Sequence, residues 1–358
     1  MTTATKTDLG IDGWMSDDMV VRLREWGSDR VHALPDDPGA EVTIGSSDAC
    51  SLRLDDPSGR LSRQHARLTI EGNRWIARDL DSKNGLRVDG VRRAKVQLEP
   101  GCELGLGGVT LIAESPRVIA LREFLARILG FSEDASEAVD LALRSVRLSA
   151  TRRVALALCG DGDLVPIARG LHRCSLGDDR PFVLCDPRRR PTDEQGPLEN
   201  YTSAMSALAA AASGTICVWP KRLPRDFADL LTALRDPSTR VQLIACGQRP
   251  VESKDLVSAP IEIPPLSTRA DELERVIDEY ARGAGEALGI QASFSEADRE
   301  WVRRNSAASL PEIEKGTLRL VALRDAGNIA RAAERLGMAH TSLGEWIGRR
   351  RLPWGNMK

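Results

Sequence analysis

The spacing of apolar residues changes twice along this chain, and each change limits what the segment can fold into. Up to about Ala113 apolar and polar residues alternate in short runs: "EVTIGSS", "SLRLDD", "ARLTI", "RWIARDL", "GLRVDGVRR", "AKVQLEPG" and "VTLIAES". Period-two runs separated by Gly, Asp and Asn predict an all-β sandwich. Within it, Asp89-Gly90 supplies the left-handed pair that a two-residue hairpin needs. From Pro116 to about Pro265 continuous apolar strands ("RVALALCG", "PFVLCD", "GTICVWP", "RVQLIACG") alternate with amphipathic helices, which predicts a parallel sheet covered by helices. After Thr268 only helical periodicity remains.

Three patterns in 358 residues fit a prior of two to four domains. The net charge of −2 points to no particular partner. The seven cysteines form no C-x-x-C pair, and several lie inside apolar runs, so buried free thiols in a reducing compartment are expected. The four histidines are scattered, and neither a metal site nor a cofactor is expected. The opening "MTTATKTDLG" lacks the order of a signal peptide, and no apolar run is long enough to cross a bilayer. A cytoplasmic protein without membrane attachment is the expectation.

Within the β segment, Gly45 follows a strand, Ser62-x-x-His65 opens another, and Ser82-Lys83-Asn84-Gly85 forms a later loop. In this order the three resemble a forkhead-associated (FHA) domain. The resemblance implies an eleven-stranded sandwich whose loops bind a phosphothreonine peptide, with Ser46, Ser62, Arg63, Lys83 and Asn84 as the contacts. A phosphate of about −2 charge calls for several donors at once. His65 and Gly85 are read as loop architecture. One departure stands out: Ser46 occupies the place where the family usually has Arg. Loss of that cation weakens phosphate binding by about 1.5–3 kcal/mol, with Arg53, Arg60 and Arg63 as candidate replacements.

In the middle segment, "LVPIARGLHRCS…DRPFVLCD", "SGTICVWPKRLPRDFADLLTAL", "RVQLIACG" and "IEIPPLSTRADELERVIDEY" resemble, in order, the AAA+ domain of sigma-54-dependent transcriptional activators. The residues for ATP chemistry are missing. The loop "CGDGDL" has no Lys and carries Asp161 and Asp163. Trp219-Pro220 stand where the acidic metal-binding pair belongs, and the "GAFTGA" loop is absent from Pro187 to Ser213. "SLPEIE" stands where a "GNVREL"-like stretch supplies an Arg. Phosphoryl chemistry needs a Lys and a Mg²⁺ holder near the phosphates, so a pseudo-ATPase is expected.

The closing "GNIARAAERLGMAHTSLGEWIGRRRL" resembles a Fis-type helix-turn-helix, with Asn328 as cap and Gly337 in the turn. From Gly316 to Lys358 there are eight Lys/Arg against three Asp/Glu, a local excess that suits DNA phosphates. The expected DNA contacts are His340, Thr341, Ser342, Glu345, Trp346, Arg349 and Arg350, with Leu343 and Ile347 inward. Gly344, Glu345 and Gly348 depart from the family's basic or helix-favouring residues, and each helical Gly costs about 1 kcal/mol relative to Ala.

The expected organisation is therefore a flexible tail (1–17), an FHA sandwich (18–115), a degenerate AAA+-like α/β domain (116–267), a helical lid (268–315) and a helix-turn-helix (316–358). It describes a phosphothreonine-responsive transcription regulator. Its expected partners are a phosphothreonine protein (a Ser/Thr kinase or its substrate), double-stranded DNA, at least one further copy of itself, and related AAA+ activators. Two alternatives stay open: a working ATP-dependent activator with displaced site residues, and a phosphoprotein scaffold without DNA binding.

Overall fold

A computed structural model describes residues 14–15, 18–152, 154–189, 199–236, 238–248, 260–290, 294–350 and 352 of the chain. Contacts divide the chain into two compact units. One reaches to Ala126 and takes in Phe131–Arg152 and Leu171–Asp179; the other comprises Arg127–Gly130, Arg153–Gly170 and the chain from Arg180 on.

The first unit opens with β1 (Arg22–Glu25), β2 (Val31–Ala33), β3 (Glu41–Gly45), β4 (Leu52–Arg53), β5 (Ala66–Glu71) and β6 (Arg74–Asp79). It continues with β7 (Leu86–Val88), β8 (Val91–Arg93), β9 (Lys95–Gln97), β10 (Glu103–Leu106) and β11 (Val109–Glu114). They form two sheets, in the orders β2-β1-β11-β10-β7-β8 and β4-β3-β5-β6-β9. Their pairing is antiparallel apart from β3 with β4. The alternation read from sequence is kept, as in β10, where Leu104 and Leu106 are buried and Glu103 and Gly105 less so. Leu23, Ile44, Leu68, Trp75, Leu86 and Leu104 belong to the shared core. Asp89 and Gly90 both have positive φ (47° and 80°), as the hairpin between β7 and β8 demands.

Trp14 and Met15, assigned to the tail, are buried, and Trp14 Nε1 donates to the Pro100 carbonyl at 3.2 Å. The rest of residues 1–17 apart from these two lies outside the described residues, except that the chain resumes at 18. Two helices follow the sandwich, α1 (Pro116–Leu129) and α2 (Glu133–Arg152). Helix α2 is ionically joined to the sheet: buried Arg24 donates to Glu114 at 2.7 Å and to both Asp140 oxygens. A buried charge is stable only when so paired, and removing one partner costs about 3–5 kcal/mol.

The second unit contains β12 (Leu156–Cys159), α3 (Val165–Leu176, shared with the first unit), β13 (Phe182–Cys185), β14 (Asn200–Tyr201) and α4 (Ala204–Ala210). It goes on to β15 (Thr215–Val218), α5 (Phe227–Leu234), β16 (Gln242–Gly247) and β17 (Ile261–Glu262). The strands make one parallel sheet ordered β14-β13-β15-β16-β12-β17. Every residue of β12 and β15 is buried, which is why these strands read as unbroken apolar runs. The chain leaves β12 toward β13 on one side and leaves β16 toward β17 on the other. The carboxyl ends of β12 and β16 therefore form the switch point where open α/β sheets place ligands.

Five helices complete the unit: α6 (Leu273–Leu288), α7 (Glu296–Asn305), α8 (Leu310–Ala326), α9 (Ile329–Arg335) and α10 (His340–Arg349). Ser295 and Asp298 form a reciprocal capping box at the start of α7. Asp298 also accepts from Arg324 Nε of α8 at 2.9 Å.

Candidate functional site

Three loops meet at one end of the sandwich. Gly45 ends β3 so close to the next loop that an added Cβ would lie 2.2 Å from the Arg63 carbonyl oxygen; only Gly allows this approach. The contact lets Ser46 N–H donate to the Ser62 carbonyl and Ser47 N–H to the Arg63 carbonyl, both at 3.1 Å. The Ser62 hydroxyl oxygen accepts the Lys83 N–H at 3.1 Å, which leaves its own proton to donate. Asn84 Nδ2 donates to the Arg60 carbonyl at 2.6 Å and keeps its oxygen for a peptide N–H.

Two buried supports hold these loops. His65 is fully buried; its Nδ1 accepts from Ser62 N–H at 3.1 Å, and its Nε2 faces the Gly85 carbonyl at 3.2 Å. That pattern fixes the tautomer with the proton on Nε2. Both residues act as loop architecture, as read from sequence. Asp56 is the second support, accepting from N–H groups of Ser58, Arg60, Leu61 and Gly108 at 2.7–3.0 Å. The Ser58 hydroxyl, followed by the N–H groups of Gly108, Ser58 and Leu61, holds its carboxyl well below the ordinary value. Nothing in the sequence pattern distinguished Asp56 from other loop aspartates.

All five expected phosphopeptide residues, Ser46, Ser62, Arg63, Lys83 and Asn84, belong to these joined loops. The side chains of Arg63 and Lys83 are exposed and have no hydrogen bond or ion pair among the described residues. Of the three candidate replacements for the missing Arg, Arg53 is tied to Asp48 (2.5 Å) and Asp55 (3.7 Å), and Arg60 Nε donates to Ser58 at 3.0 Å. Arg63 remains. The Ser62 hydroxyl proton and the exposed Arg63 and Lys83 side chains are thus uncommitted donors on the joined loops among the described residues.

The glycine turn after β12 is arranged differently. Asp163 pairs with Arg189 at 2.9 Å and accepts the Val165 N–H at 3.2 Å. Gly162 sits against Ser309, 3.1 Å from an added Cβ to the hydroxyl. A cavity lined by Asp161, Leu164, Ile263, Pro265, Ser309 and Pro311 holds about 20 Å³, room for roughly one water. At the end of β15, Arg222 lies over the Trp219 ring (5.7 Å) and pairs with Asp186 at 3.2 Å. Part of the segment searched for a "GAFTGA" loop, residues 190–198, lies outside the described residues.

Near the C-terminus, α9 and α10 are joined by a turn in which Gly337 has φ +62°. The Asn328 side chain caps α9 by accepting the Arg331 N–H at 2.9 Å. His340, Thr341, Glu345 and Arg349 are exposed, and Ser342 and Arg350 are half-buried. Trp346 corrects the sequence reading: it does not face outward but is 1% exposed. It packs on Trp301 of α7 at 5.4 Å, with Arg319 and Arg350 over its ring at 5.0 and 5.4 Å. Leu343, Trp346 and Ile347 follow i, i+3, i+4 spacing and form the buried stripe of α10. Arg350 is partly committed as well, to Glu312 at 2.7 Å.

No curated protein is similar enough to match the chain. Solved structures similar to it include one of phosphothreonine-dependent FHA domain interactions, 28% identical over 26% of this chain and 93% of that one, with a TM-score of 0.24. The FHA domain of the CT664 protein from Chlamydia trachomatis is 28% identical over 25% of this chain and 92% of its own, TM-score 0.23. Mycobacterium tuberculosis EmbR, in complex with a low-affinity phosphopeptide, is 26% identical over 26% of this chain and 24% of its own, TM-score 0.24. The FHA domain family matches residues 42–107, the strands and loops that carry the site. This part of the chain is an FHA domain.

Proposed function

We propose that the chain is a phosphothreonine-responsive regulator that also binds duplex DNA, with an AAA+-like body that does not turn over ATP. The observation that carries the first part is the junction of Ser62 and Lys83, on loops whose Lys83 and Arg63 side chains are exposed and unpaired among the described residues. The AAA+-like part rests on a parallel sheet whose glycine turn follows β12 at the switch point. The loss of turnover rests on Asp163 being held by Arg189 and on a glycine turn, "CGDGDL", that supplies no Lys for the phosphates. DNA binding rests on the capped α9, the Gly337 turn and the exposed Thr341 and Arg349 of α10.

The test of the phosphothreonine reading is fluorescence anisotropy with matched Thr and phosphothreonine peptides. The phosphorylated form should bind more tightly, and Ser62→Ala should remove about 10- to 100-fold of its affinity, the worth of a charged hydrogen bond. Equal binding of both peptides defeats the reading. A second reading, a scaffold without DNA binding, is favoured by the burial of Trp346 and the commitment of Arg350 to Glu312. A duplex titration separates the two: affinity that falls with salt and weakens in Arg349→Ala supports DNA binding, and no binding supports the scaffold.

A further inference from the structure

The hairpin beside the phosphothreonine loops carries positive charge that the fold does not use. Strands β7 and β8 pair with Leu86 opposite Arg93 and Arg87 opposite Arg92. Side chains on a strand alternate between faces, so Gly85, Arg87 and Arg92 share the outer face of this sheet. Gly85 has φ +74°, and an added Cβ would lie 2.3 Å from Arg92 Nε. The Arg92 guanidinium therefore lies directly over the loop residue that follows Asn84. On the next strand Gly105 stands opposite Arg87, and an added Cβ there would meet the Arg87 Cβ at 3.4 Å. Both arginines thus pack over glycines, Arg92 over Gly85 and Arg87 beside Gly105.

The charges on this ledge are unbalanced. Arg87 donates to the Gly90 carbonyl at 3.2 Å. Neither it nor Arg92 has a carboxylate partner among the described residues. Several other cations of the sandwich are matched: Arg53 with Asp48, Arg67 with Glu41, and Arg78 and Lys95 with Glu71. Exposed arginines with no carboxylate partner among the described residues fit a ligand that brings its own negative charge.

We infer that the β7–β8 hairpin is a second anionic subsite, through which the domain selects phosphothreonine segments carrying Asp or Glu close to the phosphorylated residue. This rests on the phosphothreonine reading and deepens it. An extended peptide advances about 3.3 Å per residue, so a carboxylate two to four positions from the phosphothreonine reaches Arg92 while Asn84 holds the peptide backbone. Arg92 presents a planar fork to that carboxylate, which Lys would not reproduce.

The full chain is titrated with labelled phosphothreonine peptides carrying either three Asp or three Ala at those positions, together with their unphosphorylated forms. The acidic phosphopeptide should bind about 5-fold more tightly than the neutral one, as expected for one or two exposed ion pairs. Arg92→Ala should erase that advantage and leave the neutral phosphopeptide unchanged; Arg87→Ala should erase part of it. Equal affinity for acidic and neutral phosphopeptides overturns the subsite alone. So does an equal loss for both in Arg92→Ala. Absence of any phosphate preference overturns the phosphothreonine reading beneath it, and the subsite with it.

Discussion

The loops at the end of the sandwich and the glycine turn after β12 both put small residues and backbone N–H groups at the ends of strands. They differ in what happens to charge. At the sandwich, the Lys83 and Arg63 side chains have no partner among the described residues, while buried His65 and the many-bonded Asp56 hold the loops. At the turn, Asp163 is consumed by Arg189 and Gly162 is backed by Ser309. The proposed anion site is the loop cluster whose scaffold is satisfied and whose donors are not. Glycines at a strand end are insufficient by themselves.

The largest effect on this contrast comes from the helices. Trp346→Ala should destabilise the second unit by about 3–5 kcal/mol, as for a large core aromatic, read as a fall in its thermal transition. Phosphopeptide affinity should be unchanged, because the site lies wholly in the first unit. A Trp346→Ala protein of normal stability would mean that the indole is a surface contact after all. Next is Gly45→Ala, whose added carbon meets the Arg63 backbone. Overpacking of this kind costs about 1–3 kcal/mol, and peptide binding should be lost at temperatures where the chain stays folded.

Ser46→Arg sharpens the comparison from the other side. Returning a cation to the place where the family resemblance expects one should tighten phosphopeptide binding by about 10-fold, a charged hydrogen bond's worth. No gain would show that Arg63 already fills that role. The smallest effect is acid dependence. The carboxyl of Asp56 is lowered from its ordinary 3.8, so its contribution is fully present above about pH 4 and is lost only as pH falls through the lowered value. The loops should therefore hold their shape to below pH 4. Binding should instead weaken near pH 6, where the phosphate takes up its second proton. Asp56→Asn should weaken binding at every pH, and anisotropy across pH 4–8 separates the two contributions.

Much of this was legible in residue order. Alternating versus continuous apolar runs separated the sandwich from the parallel sheet, because one-sided and two-sided burial leave different periods. Gly45, Ser62, His65 and Asn84 could be placed because loop chemistry depends on residue type at fixed spacing. What could not be read depends on pairing register. Arg92 reaches Gly85 only because β8 folds back on β7, and Arg24 meets Asp140 across 116 positions of chain. Trp346 was legible in principle: Leu343, Trp346 and Ile347 mark one helix face. The resemblance to a DNA-reading helix favoured the outward assignment, and the packing of Trp301 against the indole reverses it.

The most direct test of the central contrast is a calorimetric titration of the full chain with a phosphothreonine peptide and, separately, with Mg-ATP. One saturable phosphopeptide site per chain, with no saturable heat from Mg-ATP at millimolar concentration, is the predicted result. Saturable micromolar Mg-ATP binding would contradict it, since the AAA+-like body would then hold a polyanion despite the paired Asp163 and the missing Lys.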